Sequence, residues 1–164
     1  MNTFLRLGGA ALVAIGALFV SKEYEKYLVK RGDEYRGLLA LLSHAEGQIS
    51  KFLAYGSALW RNFDDESLER CGLLPELRDG KGLSEAFEVC APKMSLPRAV
   101  VKEISKSLSS LGNDYLEGEL SALREIRERL TELLKNEEEQ REKNIKVVRA
   151  LLLGGALCAI ILAL

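Results

Sequence analysis

Two nearly unbroken apolar runs, Phe4 to Val20 and Val147 to Leu164, enclose a densely charged middle, and this arrangement restricts what the chain can fold into more than any other feature. A helix crossing the hydrocarbon core of a bilayer needs ~20 apolar residues, with a working range of roughly 17 to 25. Both runs sit at the short end of that range. Arg6 and Arg149 lie near their starts, where a long side chain can reach back to the headgroups. The sequence therefore predicts a transmembrane helix over 4–20, a body over 21–146 and a second transmembrane helix over 147–164. A cleaved signal peptide is the rival reading of the first run. The exit sequence Ala17-Leu18-Phe19-Val20-Ser21 offers no Ala-x-Ala site, which favours a retained helix.

Basic residues set the orientation, because the side richer in Lys and Arg usually stays cytoplasmic. Lys22, Lys26, Lys30 and Arg31 follow the first run, and Arg141, Lys143, Lys146 and Arg149 precede or enter the second, against Arg6 outside. The expectation is a hairpin with both termini outside and the body in the cytoplasm. All 24 Asp and Glu fall in the middle, with every Lys and Arg except Arg6 and Arg149, so the body is slightly acidic. That charge argues against nucleic acid as a partner, which requires a clustered basic surface. Cys71, Cys90 and Cys158 show no CxxC spacing, which fits a reduced compartment and gives no metal pattern. A Cys71–Cys90 disulfide becomes an option only if the topology is inverted.

The middle is organised by helical periodicity. Leu28, Tyr35, Leu38, Leu42, Ala45, Ile49 and Phe52 recur at helical steps and predict a long amphipathic helix running on from the first span. Gly32, Gly37 and Gly47 each weaken it by ~1 kcal/mol relative to Ala, and Gly56 is its stop signal. A second long helix carries Leu116, Leu120, Leu123, Ile126, Leu130, Leu133 and Leu134, with Asp114 and Glu117 forming a capping-box variant at its start. Its later part, Lys135 to Asn144, has no apolar residue and reads as a solvated stalk. Between them, Asp64 or Asp65 caps a helix ending near Cys71-Gly72, and Pro75, Gly80 and Gly82 mark turns. Leu83 to Cys90 forms a short helix, and Pro97 opens another that Gly112 closes. With no period-two alternation, the fold class is all-α: a bundle of five to six helices with an N-terminal and a C-terminal transmembrane helix.

Few residues suggest chemistry. His44, the only histidine, falls on the polar flank beside Ser43, and one His builds neither a His-based zinc site nor a nucleophile–base pair. Asp64-Asp65-Glu66 and Glu137-Glu138-Glu139 lack the spaced ligands and turn glycine of a calcium loop; they read as solvated faces and as candidate docking sites for a partner. Small residues at Ala10, Ala14 and Ala17, and at Gly155, Ala159 and Ala163, form stripes along which membrane helices pack, within the chain or between copies. No catalytic, cofactor-binding, metal or small-molecule site emerges, and the expectation is a protein that is not an enzyme.

The pattern Leu111-Gly112-Asn113-Asp114-Tyr115-Leu116-Glu117-Gly118-Glu119, followed by a long charged helix, Glu142-Lys143-Asn144-Ile145-Lys146 and an apolar tail, resembles the stage III sporulation protein AB family of endospore-forming bacteria. Arg31-Gly32-Asp33-Glu34-Tyr35-Arg36 leading into a leucine-rich helix agrees in plan. The chain departs from the family pattern in placing Asp114 one position early, in carrying Glu119 where the family has Gln, and in lacking a Thr-Pro-Leu after the first long helix. The resemblance implies a soluble domain similar to the cytoplasmic domain of the type II secretion platform protein. It also implies a place in the channel-like, secretion-like complex of the mother-cell membrane around the forespore. There the protein would couple a secretion-type ATPase to the other membrane subunits. The alternative is a general membrane tether whose two stripes pair between molecules as a coiled coil, which would make it self-associating.

Overall fold

The computed structural model describes the backbone of residues 2–52, 56–109 and 116–163, and among these the side chains of 9, 12, 15–51, 56–109, 117–155, 157, 158 and 161. The described elements are all helical: α1 (Asn2–Phe52), α2 (Glu66–Cys71), α3 (Leu73–Arg78), α4 (Leu83–Cys90), α5 (Arg98–Leu108) and α6 (Leu116–Ala163), with short 3-10 turns at Gly56–Leu59 and Ala91–Lys93. The chain divides into two compact units, one of Met1–Val29 with Glu137–Leu164 and one of Lys30–Asn136. The two long helices each supply residues to both.

In the 30–136 unit the apolar stripes meet in one core. Tyr35, Leu38, Leu42, Ala45 and Ile49 of α1 and Leu123, Ile126 and Leu130 of α6 are buried together with Leu68, Leu73, Leu74, Leu77, Phe87 and Ile104 of α2–α5. Each such side chain contributes on the order of 1.5–3 kcal/mol when fully removed from water. The two stripes are thus spent within one molecule, against partners in the intervening segment.

Local signals explain most boundaries. Asp65 is the N-cap of α2, its Oδ1 accepting the Ser67 and Leu68 amides at 3.0 Å each. Gly72 ends α2 at φ +88°, a left-handed conformation that glycine adopts without Cβ strain, and α3 follows at once. Pro75 marks no turn but lies in the first turn of α3, where a helix has no use for its missing N–H. Pro97 occupies the N-cap of α5 rather than its first turn. Gly56 stands at φ +63° where the 3-10 turn begins. Gly112 and Asp114 lie outside the described residues.

In the other unit, Ser21 and Leu28 of α1 are buried, and Arg149 of α6 donates from Nε and Nη2 to Glu25 Oε1 at 3.0 and 2.6 Å. Arg149, expected to reach for headgroups, is held by an ion pair. Among the described residues no helix is long and apolar enough to cross a membrane. The two predicted spans are therefore not shown: many of their side chains lie outside the described residues, and what is described is interrupted by Arg149 in α6 and ends at Ser21-Lys22-Glu23 in α1. The described apolar side chains there, among them Leu12, Ile15, Phe19, Leu151, Leu157 and Ile161, are exposed.

Two helices approach closely at Gly37. A Cβ there would meet Ser67 Oγ at 2.6 Å, Asp65 Oδ1 at 2.7 Å and Leu68 Cγ at 3.0 Å, so α1 receives the capped N-terminus of α2 on bare backbone. Gly47, one helical face away, would meet nothing within 4 Å. Glycine-to-alanine changes inside a helix gain up to ~1 kcal/mol when space is free, whereas overpacking costs about 1–3 kcal/mol. Gly47→Ala should raise the thermal midpoint of the chain and Gly37→Ala should lower it; equal shifts would show that the crossing tolerates a methyl group.

Candidate functional site

The acidic cluster at 64–66 stands at the start of α2, with the side chains of Asp64 and Glu66 exposed. Asp65 caps α2, Glu66 pairs with Arg70 at 3.2 Å, and Asp64 lies 3.9 Å from Arg78. Arg78 also binds Glu69 at 3.0 Å and donates to the Phe63 carbonyl at 2.9 Å, tying α3 to α2 and to the segment before it. Glu138 and Glu139 are exposed and Glu137 half-buried along α6, and Glu117 is exposed in its first turn. The proposed helix cap cannot be followed further, because its other member, Asp114, lies outside the described residues. Of the small-residue stripes, Ala17 is half-buried and Gly155 exposed, with nothing within 4 Å of a Cβ built there; the side chains of Ala10, Ala14, Ala159 and Ala163 lie outside the described residues. Among the described residues, nothing packs against Gly155. His44, expected on the surface, is half-buried: its Nε2 donates to the Leu59 carbonyl at 3.0 Å and its ring lies 5.2 Å from that of Phe63.

The residues that do converge lie between α5 and α6, where periodicity alone could not bring them together. Glu103 and Ser107 of α5 face Ala122, Glu125, Ile126, Glu128, Arg129 and Glu132 of α6 across a groove of about 510 Å³. Arg129 bridges the two helices, with Nε to Glu103 Oε1 at 2.7 Å and Nη1 to Glu132 Oε2 at 2.6 Å. Four carboxylates against one guanidinium leave the groove acidic, with buried Ile126 in its lining. On the opposite flank, Glu46 of α1 accepts Arg124 Nε at 2.7 Å and Arg127 Nη1 at 2.8 Å. Ion pairs on both sides thus fix the rotation of α6 that presents Glu125 and Glu128 to solvent. Such an arrangement offers a basic segment of a partner complementary charge.

Two further features belong to the same unit. An apolar cavity of about 290 Å³ lies among Ile49, Leu59, Trp60, Leu83, Leu108 and Leu123. In the same unit, Glu34 of α1 is fully buried and accepts the Ser95 amide at 2.6 Å. Burial pushes the Glu34 carboxyl above its usual range, opposed by the Ser95 amide and by Lys30. Cys71 and Cys90 are buried free thiols, and burial raises both, which keeps them in the unreactive protonated form.

The model of one protein family, stage III sporulation protein AB, matches residues 6–163, nearly the whole chain. No curated protein and no solved structure matches the chain.

Glu46 gives the flank of α6 a pH signature. Its carboxyl is held below its ordinary value of 4.5, first by the hydrogen bond from Arg124 and further by Arg127. A depressed carboxylate stabilises the fold above the ordinary range and loses that contribution as pH falls through it. Glu46→Gln should therefore cost about 1 kcal/mol at neutral pH, given that both arginines are partly exposed. Thermal unfolding in acid should bring the variant and the native chain together. A gap that stays constant into acid would exclude the charge as its cause.

Proposed function

The chain belongs to the stage III sporulation protein AB family, and from that premise we propose that it is a non-enzymatic, membrane-anchored subunit of the mother-cell-to-forespore channel complex, coupling a secretion-type ATPase to the membrane subunits. Membership of the family supports the sporulation setting. The membrane anchor is supported by one observation above all. In the unit formed by Met1–Val29 and Glu137–Leu164, twelve large hydrophobic side chains are exposed among the described residues, with Leu12 at 71% and Leu151 at 70%. A water-soluble surface rarely carries so large an apolar area, and a bilayer or membrane partner would cover it. In this reading both apolar ends insert, and the charged 30–136 unit remains on the cytoplasmic face, as the distribution of Lys and Arg implies.

The scaffolding role is supported by the continuity of α1 and α6, 51 and 48 residues long, each of which contributes to the apolar-rich unit and to the packed one. A helix transmits displacement along its axis without needing any chemistry. Docking of the ATPase is assigned to the acidic groove of α5 and α6 rather than to 64–66, whose carboxylates are engaged in capping and local ion pairs.

Reversing Glu125 and Glu128 to Lys leaves the Arg129 bridge in place and should weaken capture of the ATPase by detergent-solubilised full-length chain roughly tenfold or more. The triple reversal at Glu137, Glu138 and Glu139 should leave capture unchanged. Loss of capture in the second variant and not the first would move the docking face to that part of α6.

A further inference from the structure

We propose that Glu34 is a proton-sensitive latch that holds the Met94–Pro97 connection, and with it the start of α5, against α1. The geometry is that of a group with two states. Glu34 has 0% exposure, its Oε2 accepts the Ser95 amide at 2.6 Å, and its Oε1 is buried with no hydrogen-bond partner. A carboxylate kept from water with an unsatisfied oxygen is costly to ionise in place. The protonated form needs no compensating charge, and its remaining oxygen still accepts the Ser95 N–H.

The surroundings leave ionisation only partly compensated. From α1 itself, Lys30 reaches to 3.9 Å from Oε1 with a side chain that is 44% exposed, and Arg31 lies one turn away with its Nε buried. From α2, Arg70 favours the charged form from a distance, while Cys71 beside it is a protonated thiol. From the connection come the Ser95 amide and hydroxyl; Met94, Leu96 and Pro97 bring no charge. Burial outweighs these contributions, so the folded state binds a proton more tightly than the unfolded chain does. The sign follows by linkage: the closed connection is most stable below the ordinary carboxylate range and is weakened as pH rises toward the folded-state value, above which no further change occurs. Opening of the connection lets Glu34 reach water. Because the same connection leads directly into α5, which carries Glu103 of the acidic groove, the latch links proton binding to the geometry of that face.

The test is a titration of the full-length chain in detergent micelles between about pH 4 and 8, following the amide of Ser95 and the carboxyl carbon of Glu34 by NMR. The latch requires both signals to titrate together, with a midpoint above 4.5. It also requires amide exchange of residues 94–98, corrected for intrinsic rates, to rise by at most tenfold per pH unit up to that midpoint and then level off. Glu34→Gln should abolish the Ser95 titration and flatten the exchange profile. A Ser95 amide that does not titrate, a midpoint at or below 4.5, or a pH-dependent opening that survives in Glu34→Gln would overturn the proposal. Should the variant fail to fold, the native chain decides alone: coincident midpoints for the Glu34 carbon and the 94–98 exchange sustain the latch, and separate midpoints remove it.

Discussion

One face of α1 carries the whole 30–136 unit. Within a few turns it presents a fully buried carboxylate at Glu34, a buried ring at Tyr35, bare backbone at Gly37 and then the aliphatic row Leu38, Leu41, Leu42 and Ala45. Each fixes a different neighbour. Gly37 admits the capped end of α2, Glu34 holds the connection into α5 through Ser95, and the aliphatic row fills the core shared with α3, α4 and α6. Interiors pack at crystal-like density, so the close crossing at Gly37 determines how deeply the short helices can settle on this face. The order of those short helices then leaves α5 beside α6.

The polar contacts at α6 follow from that placement. Its buried residues Leu123, Ile126 and Leu130 fix which side faces inward, and Glu46 and Glu103 take up its arginines from the two flanks. Surface ion pairs of this kind contribute little individually to stability. Their effect here is orientational, because Arg129 cannot reach Glu103 and Glu132 together unless α5 and α6 hold one register. The acidic groove is thus a consequence of the core.

What the sequence made legible was local. The all-helical class, the two long helices, the Asp65 cap, the Gly72 stop and the Leu83–Cys90 helix are all dictated by contacts within a few residues, and periodicity or capping chemistry exposes them. Pro75 misled because the same residue serves a turn or a first helical turn equally well. Glu34, Gly37 and His44 were beyond such reading, since their roles depend on Ser95, Ser67 and Leu59, which are distant in sequence. An unexplained glutamate in the middle of an otherwise apolar stripe, Glu34 next to Tyr35, was the available signal. The groove escaped such reading for a related reason: three adjacent acids catch the eye, whereas Glu103, Glu125, Glu128 and Glu132 become neighbours only after α5 and α6 pack.

The proposed role rests on both apolar ends entering the bilayer while the packed unit stays in the cytoplasm. Cys71 and Cys90 are buried and unsuited to report on this, so the native cysteines would be replaced and single cysteines introduced at Asn2 and at the exposed Ser57. Labelling of intact cells with a membrane-impermeant maleimide should modify the Asn2→Cys chain, and should modify the Ser57→Cys chain only after lysis. Labelling of Ser57→Cys in intact cells would place the packed unit outside and remove a cytoplasmic ATPase as its partner; protection of both positions until lysis would contradict the double anchor.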